Sequence, residues 1–101
     1  MNHSAKILAN CNTACDLQAE CIKLTGRSDI FNANITKCGK DGLVLSSPKV
    51  IKKGVYLIVR IRNFTYGHEE YVRSTGLTEV CWVEEVINEK GLNYKIGLKY
   101  M

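Results

Sequence analysis

Residues 92–101 read LNYKIGLKYM, with apolar side chains at Leu92, Tyr94, Ile96, Leu98 and Tyr100 and polar or small ones between them. Successive side chains leave a strand on opposite sides, so a period of two held over ten residues marks a strand with one buried face. The same period recurs upstream. FNANITKC (31–38) sets Phe31, Ala33 and Ile35 on one face and Asn32, Asn34 and Thr36 on the other. VYLIVRIRNF (55–64) sets Val55, Leu57, Val59 and Ile61 opposite Tyr56, Ile58, Arg60 and Arg62. LQAECIKLT (17–25) alternates at Leu17, Ala19 and Cys21, then changes phase at Ile22 and Leu24, which predicts a bulge there. LVLSS (43–47) and TGLTEVCWVEEV (75–86) complete six strand-like runs, the second without an evident buried face.

Turn-forming residues separate the runs: GRSD (26–29), the glycine-containing KCGKDG (37–42), Lys52-Lys53-Gly54, the polar TYGHEEYVRS (65–74) and NEKG (88–91). No convincing helical stretch lies between them. The pattern predicts an all-β domain over 17–101, a six-stranded antiparallel barrel, because closure removes exposed sheet edges. Residues 1–16 form an N-terminal arm. They are either extended or a short helix capped by Ser4, with Ile7, Leu8, Cys11 and Cys15 on one side.

At 101 residues the chain suffices for one modest core. Hydrophobic residues make up 46 % and charged residues 24 %, a globular composition, and no apolar run approaches the roughly 20 residues that cross a bilayer. The start shows no export signal, so a cytoplasmic protein without membrane insertion is expected. Five cysteines, an odd number irregularly spaced, suit reduced thiols better than a disulfide framework. The N-x-T triplets at Asn34 and Asn63 are then chance. Cys11, Cys15 and Cys21 lack the second close pair that a structural zinc site needs, and are expected to be core or tail thiols. A redox pair of Cys11 and Cys15 would require a lowered thiol pKa.

The formal charge of +4 permits an anionic ligand without demanding one. Arg60 and Arg62 share a strand face with Tyr56, an arrangement that suits single-stranded nucleic acid. Cross-strand pairing with Glu84 or Glu85 is the preferred reading, and nucleic acid is a disfavoured partner. Trp82 and Tyr100 are expected in the core or under the arm. Catalysis finds no support: His3 and His68 stand apart, and the adjacent pairs Glu69–Glu70 and Glu84–Glu85 point to opposite strand faces. No enzyme, metal or resident cofactor is expected.

The closing strand, with Tyr94, Ile96, Gly97, Leu98, Lys99 and Tyr100, resembles that of the PilZ domain, a bacterial six-stranded barrel family. GLTEVCWVEE is similar to its Val–x–Trp strand at Val80 and Trp82, and IKKGVYLIVRI to its central strand after Gly54. The resemblance spans roughly 17–101. It implies a signalling domain that binds cyclic di-GMP and alters contact with another protein of a signalling or motility pathway. The family's ligand motif is Asp or Asn, x, Ser, x, x, Gly. Asn34, Thr36 and Gly39 fit that spacing with Thr for Ser, while Gly42 is the glycine that runs straight into the aliphatic strand. Arg27, Lys37 and Lys40 lie nearby as cations for the ligand. The family's R-x-x-x-R pair is missing, since residues 1–16 offer only His3 and Lys6 as basic groups. Charge-assisted hydrogen bonds contribute about 1.5–3 kcal/mol each, so two lost arginines imply binding weakened roughly 10²- to 10⁴-fold. A protein-interaction module that works without nucleotide is the alternative.

Overall fold

The computed structural model describes residues 13–24, 29–64 and 73–101. These form six strands: β1 (Thr13–Lys23), β2 (Asp29–Cys38), β3 (Gly42–Ser47), β4 (Tyr56–Ile61), β5 (Thr75–Asn88) and β6 (Gly91–Tyr100). All neighbours are antiparallel, and the sheet closes into a barrel in the order β1-β2-β3-β6-β5-β4. No helix occurs among the described residues. The alternation thus predicts the fold class and the strand number. The expected helix or arm over 1–16 falls largely outside the described residues, but Cys15 stands inside β1, which starts at Thr13.

The inward faces are the expected ones except at the start of β6, where Leu92 lies past the last β3–β6 pair, Ser47↔Tyr94, and is exposed. Leu17, Ala19 and Cys21 of β1 pack with Ile35, Leu45, Leu57, Val59, Ile96 and Leu98 in one apolar core. Small residues on β1 and β2 (Ala19, Ala33) leave room for the larger ones opposite. Thr78 occupies a core position and satisfies its hydroxyl by donating to the Leu57 carbonyl at 2.9 Å. β3 and β4 are sequential but not adjacent, so the 48–55 connection crosses the barrel end. Ile51 from that segment is buried in the core as a plug. Gly54, at φ +91°, turns the chain into β4, and its N–H donates to the Val80 carbonyl at 2.8 Å.

Three register shifts refine the strand faces. In β1 the shift falls between Ala14 and Leu17, not at Cys21–Ile22 as the phase change suggests. Ile22 keeps the alternation and faces outward, opposite Ile30 on β2 and Ile58 on β4. In β2 the shift lies between Ile35 and Lys37, around Thr36. In β5 it lies between Val80 and Trp82. Val80 points inward beside Leu98, Trp82 sits opposite Gly97 on the outside, and Val83 returns to the Ile96 level. This bulge is why β5 shows no single buried face in its sequence.

The shift also takes Trp82 out of the core, while a place under the arm rests on residues outside those described. Tyr100 is in the core, but Trp82 packs outside, against Val44 and flat over Gly97. A Cβ at position 97 would stand 2.1 Å from Trp82 Nε1, so only glycine fits beneath the ring.

Candidate functional site

On the outer face, β2 runs further than its neighbour β3. The β2–β3 ladder spans Cys38↔Leu43 to Asn34↔Ser46 and stops where Pro48, lacking an N–H, follows the strand. Arg62 donates its backbone N–H to the Gln18 carbonyl, and the Gln18 N–H donates to Asn63 Oδ1, both at 2.8 Å. The main-chain groups of Gln18 therefore face β4. By strand alternation those of Asn34, its β1–β2 partner, face β3, and so do those of Asn32 two residues away. At Asn32 the β3 ladder has already ended, leaving a backbone donor and acceptor directed into the gap.

That gap is a groove of about 330 Å³ lined by Gln18, Asn32, Asn34, Ser46, Pro48 and Arg62, with Ala19 and Ala33 at its base. Adjacent strands supply the polar groups in register: Gln18 opposite Asn34, and Asn34 opposite Ser46. Arg62 is exposed and donates Nη1 to Asn32 Oδ1 at 3.2 Å, so its guanidinium hangs over the groove with several N–H donors still directed outward. Asn93 donates Nδ2 to Ser46 Oγ at 2.5 Å and holds that hydroxyl from the β6 side. Three carboxamides, a hydroxyl and a guanidinium around a narrow floor suit a flat polar ligand with an anionic group.

Of the residues singled out in the sequence, Asn34 lies in this groove. Thr36 is half-buried at the β2 register shift and donates its hydroxyl to the Val44 carbonyl at 3.3 Å. Gly39 and Gly42 are buried in the tight β2–β3 turn, where the Gly39 N–H donates to the Gly42 carbonyl at 3.1 Å. Lys37 and Lys40 are exposed near that turn and do not line the groove. Arg27 falls outside the described residues. Gln18 and Ser46 are additions to the sequence-derived set, and Arg62, read from the sequence only as a strand-face partner of Arg60, joins Asn34 instead. They are far from Asn34 in the chain and reach it only through strand pairing.

Arg60 pairs with Glu20 at 2.5 Å, not with Glu84 or Glu85. The reason is topological: β4 lies between β1 and the first half of β5, whereas Glu84 faces Lys95 and Glu85 faces Tyr94 in the β5–β6 hairpin. Burial pushes the Cys21 thiol up to about 12, with Glu20 adding to the rise. Cys81 is also raised, by burial first and then by Glu79. Both thiols are protonated at neutral pH and are poor nucleophiles. Cys11 lies outside the described residues, and Cys15 donates its thiol to the Ile35 carbonyl at 3.7 Å. No cluster of three His, Cys, Asp or Glu positioned to hold a metal ion occurs among the described residues. Nor is any helix of the described residues long and apolar enough to cross a membrane.

Compared with known proteins, the chain matches no protein-family model, no curated protein and no solved structure.

Proposed function

We propose that this chain is a PilZ-type signalling domain that binds cyclic di-GMP in the outer-face groove. The observation that carries the reading is the convergence of Asn34, Asn32 and Gln18 with the Arg62 guanidinium over one groove. Carboxamides and the open Asn32 backbone groups meet a guanine edge. Arg62 meets a phosphate, or the guanine O6/N7 edge, through its planar fork. One guanidinium replaces the two that the family's arm supplies, so the affinity is expected to be modest.

Calorimetric titration of the native chain with cyclic di-GMP tests this. Saturable heat is expected in the micromolar to hundred-micromolar range. Arg62→Ala weakens it about 10- to 100-fold, the value of one charge-assisted contact. Absence of heat at several hundred micromolar ligand removes the receptor role.

A second reading, an interaction module independent of nucleotide, draws on the β5–β6 hairpin. Ile87 and Leu92 pair across it and both are exposed. Capture of the same protein partner with and without cyclic di-GMP, abolished by Ile87→Asp, supports that reading.

A further inference from the structure

The outward residues of β1 and β4 form a seam that is complementary to itself. At successive levels along the two strands Leu24 stands beside Tyr56, Ile22 opposite Ile58, and Glu20 opposite Arg60. The middle level continues outward to Ile30 on β2 and Leu77 on β5, so four aliphatic side chains cross four strands in one row. These residues have no place in the core. Ile30 is 62 % exposed, Leu24 48 %, Leu77 43 % and Tyr56 39 %. Isolated exposed aliphatics are ordinary, but a contiguous row bounded by an ion pair is the anatomy of an interface.

We infer that this face binds the same face of a second copy of the chain. A two-fold axis parallel to the strands, between β1 and β4, lays β1 of each copy over β4 of the other. Every level then meets a suitable partner. Leu24 covers Tyr56 of the second copy, Ile22 covers Ile58, Ile30 covers Leu77, and Glu20 comes over Arg60. The charges select this occupant: each copy brings one acid and one base, already paired at 2.5 Å, and rotation about the axis sets opposite signs face to face. The four groups close into a ring of alternating charge beside an apolar strip. An isologous contact of this kind is closed and yields a dimer rather than a filament.

The contact is small. Eight side chains on a convex barrel fall short of the roughly 20–30 residues a side of a standard interface, so the dimer is weak, dissociating at about 10–100 µM. Its formation needs no ligand in the groove, which it borders where Asn32 lies opposite Glu20, and it is tested on the chain without nucleotide.

Sedimentation equilibrium of the full chain from about 10 µM to 1 mM tests it. The mass is expected to rise from 11.3 kDa towards twice that value. Ile58→Lys places a charge at the centre of the strip and raises the dissociation constant about 30-fold or more. Two charge-reversal variants give an independent arm. Glu20→Arg and Arg60→Glu each bring like charges together in the homodimer and sediment as monomers. Mixed in equal amounts they form a heterodimer, because every cross-copy pair is then of opposite sign. Circular dichroism confirms that each variant keeps its strand content. A chain that stays monomeric at 1 mM overturns the inference. So does a dimer unaffected by Ile58→Lys, or a mixture of the two charge variants that remains monomeric.

Discussion

Gly97 and Trp82 show how a single residue is fixed by its neighbour. The indole lies flat over the missing side chain and reaches Val44, and its Nε1–H is buried there without an acceptor, at a cost of about 1–3 kcal/mol. The close fit of ring on backbone offsets that cost. Gly97→Ala drives a methyl into the ring, and a loss of about 1–3 kcal/mol is expected, with a drop in Tm of roughly 4–8 °C per kcal/mol and a red-shifted tryptophan emission. Unchanged Tm and emission would contradict the packing. Cys21 gives a pH-dependent counterpart. Burial, and then the Glu20 charge, pushes its thiol from the ordinary 9.0 up to about 12. Below pH 9 both folded and unfolded chains hold the proton and the contribution is constant. Between about 9 and 12 only the folded chain holds it, so stability falls as pH rises through that window. Urea unfolding at pH 7, 9 and 10.5 is expected to show this decline, and Cys21→Ala to lessen it, the raised Cys81 thiol supplying part of what is left. Equal slopes in the two chains would exclude Cys21 as the cause. The inward position of Cys21 is legible from its alternation with Leu17 and Ala19. The outward position of Trp82 is not, because one extra residue at the β5 bulge reverses every later side chain without altering composition.

At the level of elements, the strands were legible and their partners were not. Alternation in 31–38, 55–64 and 92–101 identifies the inward side of β2, of β4 and of β6 from Tyr94 onward, since burial on one side imposes a period of two, whereas Leu92 stands past the β3 ladder and is exposed. Which strand lies beside which depends on closure over long sequence separations. That is why Arg60 meets Glu20, 40 residues away, and why Gln18 and Arg62 join Asn34. The groove itself depends on a mismatch in length: Pro48 stops β3 while β2 continues to Asp29. The 48–55 connection illustrates the same dependence. Its sequence marks a turn at Gly54, yet the buried end of Ile51 follows only from the crossing between non-adjacent strands. Ile51→Ala is expected to destabilise the barrel by about 2–5 kcal/mol, whereas the same change at its exposed neighbour Val50 stays within about 0.5 kcal/mol. Denaturant midpoints measure both. Equal effects at the two positions would mean that Ile51 is no plug.

For the whole molecule, the barrel divides its outer surface by chemistry. Carboxamides and Arg62 gather where β2 outruns β3, and aliphatics gather further along the β1–β4 seam, the two meeting where Glu20 stands opposite Asn32. Of the residues picked out around the glycine turn, Asn34 lines the groove. Thr36 is held by Val44, and the glycine turn with Lys37 and Lys40 lies apart from the groove lining. The cation over the groove comes from the residue that follows β4, a position that motif spacing could not reveal. The measurement that tests this most directly is a titration of the isotope-labelled native chain with cyclic di-GMP, followed by backbone and side-chain amide shifts. Saturable changes centred on Gln18, Asn32, Asn34 and Ser46, together with the Arg62 guanidinium, are the predicted result. Shifts confined to the Gly39–Gly42 turn, or none at millimolar ligand, would contradict it.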